Sequence, residues 1–561
     1  MLLLGLFTAW QAFSAYRDAR EGNAALVDFR SRLLDRDVAG AQRALARAQD
    51  ATEGARSSLS GPQWSLARVL PGVGDDVDAA QRLAVTVDDV THGALPAVMT
   101  AVGDVDPSRI GLRDGRVELA PLRRASGQLT RASTLLSTAD QQAAAIRTSD
   151  LTTSLAGKVR ETQRLLAQSS RLARTAAVAG RLLPDMLGQR GRRDYLLLAQ
   201  NSAEQRSLGG IPGAIALLRA DDGRLSLVKQ TTAVDLGSFP RPVLPLTPAE
   251  QALYGDVLGT YPQNVTDTPD FPRAAQLITA MWQRRMGGKI DGVASIAPWA
   301  LQLLLRAVGP VDTDAGRLTG SNATQKLLVD VYRDVPDPKQ QNVVFAQAAQ
   351  QVFDRVRRFS GDPRALTRAL ADGVDEGRVM VWSARAAEEK VLSTTSLGRA
   401  LRDSRTSKPQ VGVYLHDRTQ SKMSTYQRVR IDAQPTRCGT TTSAQVKVTV
   451  RSVAPADRNL PVYVTGGGAR VRPGNILTQV VLYAPRGWTI TGVRASDGRR
   501  DLVTYQHDGL WAGTRDFELA PGESKSVTVQ MGGSVLASNL DIRYTPGVIP
   551  ANVLLIGSRC S

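Results

Sequence analysis

Two periodicities, confined to different parts of the chain, predict a multidomain α and β protein. The expected order is an N-terminal membrane helix and helical bundle, a central α/β core, and a C-terminal β-sandwich of immunoglobulin-like kind. Residues 17–190 are rich in Ala, Leu, Arg, Asp and Gln, with apolar positions at helical spacing. Residues 191–405 alternate short apolar runs with amphipathic segments, as strands alternate with helices in an α/β layer. From 406 to 561 short alternating runs are separated by Gly, Pro, Asn and Asp, which suits a sandwich. At 561 residues the chain is too long for one core.

The first segment, residues 1–16, contains LLLGLFTAWQAFSAY, which carries no charge and is followed at once by Arg17, Asp18 and Arg20. A full span needs about 20 apolar residues. The run therefore reads as a transmembrane helix truncated at its start, and no small-x-small cleavage site marks it as a signal peptide. The expected placement is single-pass in the cell membrane with the bulk of the chain extracytoplasmic. In residues 17–190, Gly61-Pro62, Pro71-Gly72-Val73-Gly74, Pro96 and Pro121 divide the run into four or five helices. Val159, Leu165, Leu166, Leu172, Ala176, Ala179 and Leu183 mark one apolar stripe. These features predict an antiparallel bundle or stalk that spaces the core from the membrane.

In the core, residues 195–200, 211–218 and 224–230 read as strands, the last two joined by a hairpin at Asp221-Asp222-Gly223. The first is nearly all apolar, as in a strand covered on both faces. A Pro-rich connection near Phe239-Pro240-Arg241-Pro242 precedes a helix over 273–284, a strand over 290–296 and a short helix opened by Pro298 and stopped by Gly309-Pro310. A strand at 379–383 and a helix at 388–401 close the layer. Eight further strands are expected at 411–416, 426–432, 444–452, 479–483, 488–494, 515–518, 526–531 and 542–544.

Charge and rare residues exclude several functions. A formal net charge of +17 invites an anionic partner, but 70 Lys and Arg against 53 Asp and Glu are scattered, which fits general surface charge. Aromatic content of 5% leaves no stacking platform for bases, so no nucleic-acid role is expected. His92, His416 and His507 are too far apart to form a zinc cluster. Nothing couples a serine to a histidine and an acid, and there is no Walker motif. Cys438 and Cys560 read as a disulfide closing the C-terminal domain in an oxidising compartment, or as two buried thiols.

The loop after the first core strand holds Asn201, Glu204, Arg206 and Gly209-Gly210, where α/β folds place ligand sites. Glu204 and Arg206 form either an anion clamp or a structural ion pair. Asp270 caps the following helix or ligates a metal.

Several motifs carry a resemblance. Gln200-Asn201, Glu204-x-Arg206-x-x-Gly209-Gly210, Pro269-Asp270-Phe271-Pro272, Asp291-Gly292-Val293 leading to Pro298, and Gly309-Pro310-Val311 stand in that order. Together they resemble the envelope-associated, actinobacterial-type family catalogued as domain of unknown function 4012, whose name implies no activity. More distantly, Gly287-Gly288-Lys289-Ile290-Asp291 through Gly309-Pro310-Val311, and Asp337-Pro338-Lys339-Gln340-Gln341, resemble LytR-CpsA-Psr domains. Those enzymes are glycopolymer phosphotransferases that move a glycan from a polyprenyl-pyrophosphate carrier to the wall. The resemblance implies that Arg206, Arg273 and Lys339 share a cavity and hold a pyrophosphate with Mg²⁺, beside Asn201 and Glu204. It departs at Leu208, where the family has an acid, and lacks a Pro-Arg-Asp for which Lys229 and Asp235 are the nearest substitutes.

The expected function is membrane-anchored assembly or anchoring of envelope polysaccharide through a lipid-linked glycan, with envelope proteins as further partners. The competing expectation is a non-catalytic scaffold or adhesin. Missing acids favour the scaffold, and retained basic positions favour the ligand.

Overall fold

Leu196 and Leu198, fully buried at alternate positions of one strand, mark the centre of the α/β layer. A computed structural model describes residues 2–35, 37–69, 72–104, 116–359, 363–401, 409–438, 441–456, 460–533 and 540–556. Strand β1 (Arg193–Asn201) pairs antiparallel with β2 (Ile211–Asp221), and β2 with β3 (Arg224–Thr232). The expected hairpin forms. Asp222 and Gly223 have φ of 44° and 81°, the left-handed pair that a two-residue type I′ turn requires.

Strand β4 (Gly292–Ile296) lies parallel to β1. A small hairpin of β5 (Val311–Thr313) and β6 (Gly316–Leu318) stands apart. Strand β7 (Val379–Ser383) then pairs antiparallel with β4, giving a mixed sheet in the order β3-β2-β1-β4-β7. Helix Phe271–Met286 covers one face. It starts with Pro272 in its first turn and ends at Gly287, whose φ of 70° suits a C-cap. Phe271, Ala274, Ala275, Leu277, Ile278, Met281 and Trp282 fall on one side and pack with Leu196, Leu198 and Ile215. The expected helix at 388–401 is cut short, with helix Ala386–Leu392 in its place. The hydroxyls of Thr394 and Thr395 donate to the carbonyls of Val391 and Leu392, competing with continuation of the helical ladder.

Ten strands follow: β8 (Gln410–Asp417), β9 (Gln427–Cys438), β10 (Thr441–Ser452), β11 (Ile476–Tyr483), β12 (Trp488–Ala495), β13 (Val503–His507), β14 (Leu510–Leu519), β15 (Ser524–Gly533), β16 (Asp541–Tyr544) and β17 (Asn552–Leu555). They form two sheets, β12-β15-β10-β9-β17 and β13-β14-β11-β8-β16. Val446, Val448, Val450, Val527 and Val529 of one sheet meet Val413, Leu415, Val480, Leu482 and Phe517 of the other in a shared core. The second sheet is covered on its other face as well: Tyr414, Val481, Tyr483, Leu510 and Ala512 belong to the core that contains Leu196 and Trp282. Contacts divide the chain into two compact units, one of Met1–Gly111 and Val117–Gly191 and the other of Leu112–Arg116 and Arg192–Ser561, with no division near residue 405.

Helices of the first unit include Leu2–Leu34, Val38–Ser58, Leu119–Ala144 and Thr153–Met186. Their contacts are lined by small residues, as where Ala41, Ala44 and Leu45 meet Phe29. Pro96 does not break its helix: Gly74–Asp89 passes through a π turn, Val90–Ala94, into Leu95–Asp104. The wider turn accommodates the missing N–H. Pro121 sits in the first turn of Leu119–Ala144, where it is tolerated. The expected apolar stripe on the last helix is only partly buried, since Leu165, Leu172 and Leu183 are exposed while Ala156, Val159 and Leu166 face inward.

Residues 2–16 are the first half of the continuous helix Leu2–Leu34, and among the described residues no helix is long and apolar enough to cross a membrane. Cys438 ends β9, but its side chain and all of Cys560 lie outside the described residues, so the expected disulfide does too.

Candidate functional site

The loop between β1 and β2 is held closed by its glycines. A Cβ on Gly210 would sit 2.1 Å from the Asn201 carbonyl oxygen, and Gly209 adopts φ of 126° beside Gln200. That closure turns the polar residues of the loop toward the sandwich. The Arg206 Nε lies 2.9 Å from Asp267 Oδ1, Nη2 donates to Asn264 Oδ1 at 3.2 Å, and Nη1 donates to the Gln205 carbonyl at 3.0 Å. Glu204 pairs with Lys422, whose ammonium lies over the rings of Tyr332 and Tyr463 at 5.2 and 4.9 Å. Asn201 donates to Tyr332 Oη at 2.6 Å and accepts from the Ala203 amide. The loop is thus an ion-paired seam between the α/β layer and the sandwich, in which Glu204 and Arg206 each pair with a different residue and not with one another.

Arg273, Asp235 and Asp270 are engaged elsewhere. Arg273 is bidentate to Glu250 at 2.7 and 3.1 Å and donates to the Pro245 carbonyl, which pins the Pro-rich connection. Glu250 in turn completes a capping box with Thr247. Asp235 accepts from the Thr232 hydroxyl at 2.7 Å inside a local cap. Asp270 makes no cap bond; its Oδ1 accepts from the Leu401 amide at 2.8 Å. Lys339 stands in helix Pro338–Arg357, with its side chain outside the described residues. Among the described residues no group of three or more His, Cys, Asp or Glu could hold a metal.

Sequence reasoning missed two buried pairings in the seam. Ser207 Oγ lies 2.7 Å from His416 Nε2, with both residues buried, so no substrate has access to the hydroxyl. Burial, with Arg206 and Arg418 adding repulsion, pushes the His416 imidazole down to about 3. The Asp267 carboxyl is pushed up to about 6, because burial outweighs the attraction of Arg206 and Arg418. A second chain runs from Tyr254 Oη to Tyr483 Oη at 2.8 Å and on to His507 Nδ1 at 2.7 Å. No sequence signal links partners separated by 209 and 229 positions.

A cleft opens at the other end of β1, the length of the strand (about 25 Å) from the seam. It encloses about 430 Å³, and Leu217, Trp282 and Met286 form its apolar floor. Arg192, Arg219, Lys229, Lys289 and Arg385 line it with Asp194 and Asp291. Of the described side chains predicted for a ligand, Lys229 alone lines this cleft. Register explains the grouping: Asp194 pairs with Arg219 across β1 and β2, β4 begins just after Asp291, and β3 carries Lys229 opposite Leu217. Arg219 is bidentate to Asp194 at 2.8 and 3.0 Å, and Asp291 Oδ2 accepts from the Asp194 amide. Lys289 lies 3.7 Å from Asp291. Among the described residues, Arg192, Lys229 and Arg385 have no carboxylate partner. Arrangements of this kind can bind an anion.

Residues 190–332 match the model of the family described as protein of unknown function (DUF4012). The DUF4012 match begins just before β1 and runs beyond β6, so it takes in the seam loop and most of the cleft wall, while Arg385 lies beyond it. No curated protein matches the chain. Among solved structures the chain is similar to the Lin1025 protein from Listeria innocua, at 14% identity over 37% of this chain and 78% of that one. The TM-score is 0.20, at which the likeness carries no argument about fold or function.

Proposed function

We propose that this is a membrane-anchored, outward-facing envelope protein that takes part in assembling or anchoring envelope polysaccharide by binding it, as a non-catalytic scaffold. One observation carries the choice of binding over transfer. Arg206 and Arg273, the basic positions that a transferase of LytR-CpsA-Psr kind would need, direct their donors to Asp267, Asn264, Glu250 and Pro245. Those ion pairs join parts of the protein to one another and occupy the two guanidiniums that would have to stabilise a departing phosphate. The uncharged start of helix Leu2–Leu34, followed by Arg17 and Arg20, is what supports the anchor.

The test uses the full chain in its own cells and as purified protein. Fractionation should place it with membranes, and protease added outside intact cells should degrade it. Supplied with a polyprenyl-diphosphate-linked glycan and Mg²⁺, the purified protein should release no carrier. Turnover that is lost in Arg206→Lys at an unchanged melting temperature would overturn the scaffold reading.

A further inference from the structure

We propose that the cleft between β1, β3 and the Gly287-Gly288 turn is a binding site for a multiply charged phosphate group, of diphosphate or phosphate-ester class. It lies at the opposite end of the sheet from the loop singled out by sequence resemblance, and it stands whether or not the envelope reading holds. Five cations against two carboxylates leave a surplus of three positive charges facing about 430 Å³. Asp194 is already neutralised by bidentate Arg219, so it does not repel an incoming anion at full strength. Lys229 donates only to the Met286 sulfur at 3.7 Å, a weak acceptor that a phosphate oxygen would displace. Arg192 and Arg385 present forked donors suited to bidentate contact with phosphate oxygens.

The C-terminus of helix Phe271–Met286 points its partial charge, equivalent to roughly half an electron, against an anion. Three surplus cations outweigh it. Gly287 and Gly288 have φ of 70° and 80°, and a Cβ at either would meet nothing within 4 Å. The turn therefore leaves the cleft open on that side. The apolar floor of Leu217, Trp282 and Met286 excludes water beneath the anion and strengthens each charge contact.

Titration of the full chain with inorganic pyrophosphate at low salt should give saturable heat, and acetate at equal ionic strength should not. The triple variant Lys229→Gln, Lys289→Gln, Arg385→Gln should weaken pyrophosphate binding at least about tenfold. Arg470→Gln, Arg472→Gln, Arg494→Gln removes the same charge from exposed positions elsewhere and should leave binding unchanged. In the unmutated protein, pyrophosphate should protect Lys229 and Lys289 from acetylation relative to Lys447, a reading independent of how the variants fold. Phosphatidylglycerol vesicles separate the sources: protection by vesicles as well as pyrophosphate assigns a lipid headgroup, and protection by pyrophosphate alone assigns a soluble or sugar-linked phosphate. Binding that acetate matches, an equal loss in the control triple, or lysines that no phosphate protects would each overturn the proposal.

Discussion

At the scale of single residues, Asp267 and His416 form a titrating couple whose effects on stability oppose each other. The Asp267 carboxyl rises from 3.8 to about 6 on folding, so its contribution is complete below pH 3.8 and is lost as pH rises through 6. The His416 imidazole falls from 6.5 to about 3, so its contribution is complete above pH 6.5 and is lost as pH falls through 3. Between pH 4 and 6 the folded state holds a proton on Asp267 that the unfolded state holds on His416, and the two slopes cancel. Each variant exposes the other group. Relative to the unmutated protein, Asp267→Asn should shift the pH slope of stability upward over that window and His416→Gln should shift it downward, each by up to about 1.4 kcal/mol per pH unit. Urea melts of the two variants and the unmutated protein at pH 4, 5 and 6 measure both changes, and slopes that shift in the same direction would refute the couple. Little of this is legible in sequence. Glu204-x-Arg206 announces a charged loop, but its partners Lys422 and Asp267 come from elsewhere in the chain, and only burial decides between clamp and seam. Gly210 is easier to read: Gly210→Ala would drive a methyl into the Asn201 carbonyl, and should lower the melting temperature sharply or abolish soluble protein.

Among elements, strands and helices with one clean period were readable. The alternation of Val446, Val448 and Val450 gives β10 directly, and the seven inward residues of helix Phe271–Met286 follow its 3.6-residue repeat. Strands β13 and β17 were not foreseen, because each is an edge strand with mostly exposed residues and draws its order from a neighbour's ladder. Pro96 misled for a related reason, since a π turn absorbs locally what looks like a break. The contact between β11, β13 and helix Pro248–Tyr254 is polar at its centre, through Tyr254, Tyr483 and His507. Tyr483→Phe removes both hydrogen bonds from a fully buried position and should cost about 1–3 kcal/mol in urea unfolding. In a double-mutant cycle with Tyr254→Phe the losses should be less than additive, and full additivity would mean that the pair does not act together.

For the whole molecule, the change in composition near residue 405 marks a change of architecture without a division between folding units. Strand β8 is the clue in hindsight. Its residues from Val411 to Asp417 are all buried, on both sides, as a central strand between two cores must be, whereas a free sandwich would expose alternate positions. Leu196→Ala in the α/β layer and Leu482→Ala in the sandwich should each cost about 2–5 kcal/mol and lower the same calorimetric transition of the full chain. Separate shifts in two transitions would show that the layers melt independently.

The last two strands of the sandwich give it an order of completion. Strands β16 and β17 lie parallel to β8 and β9, one on each sheet, and supply outer edges to strands made more than 120 residues earlier in the chain. A nascent chain carries both half-built sheets with bare hydrogen-bonding edges until β16 and β17 have been made. Pairing of those two strands is therefore a late step, and the interval before it is when a chaperone has most to shield.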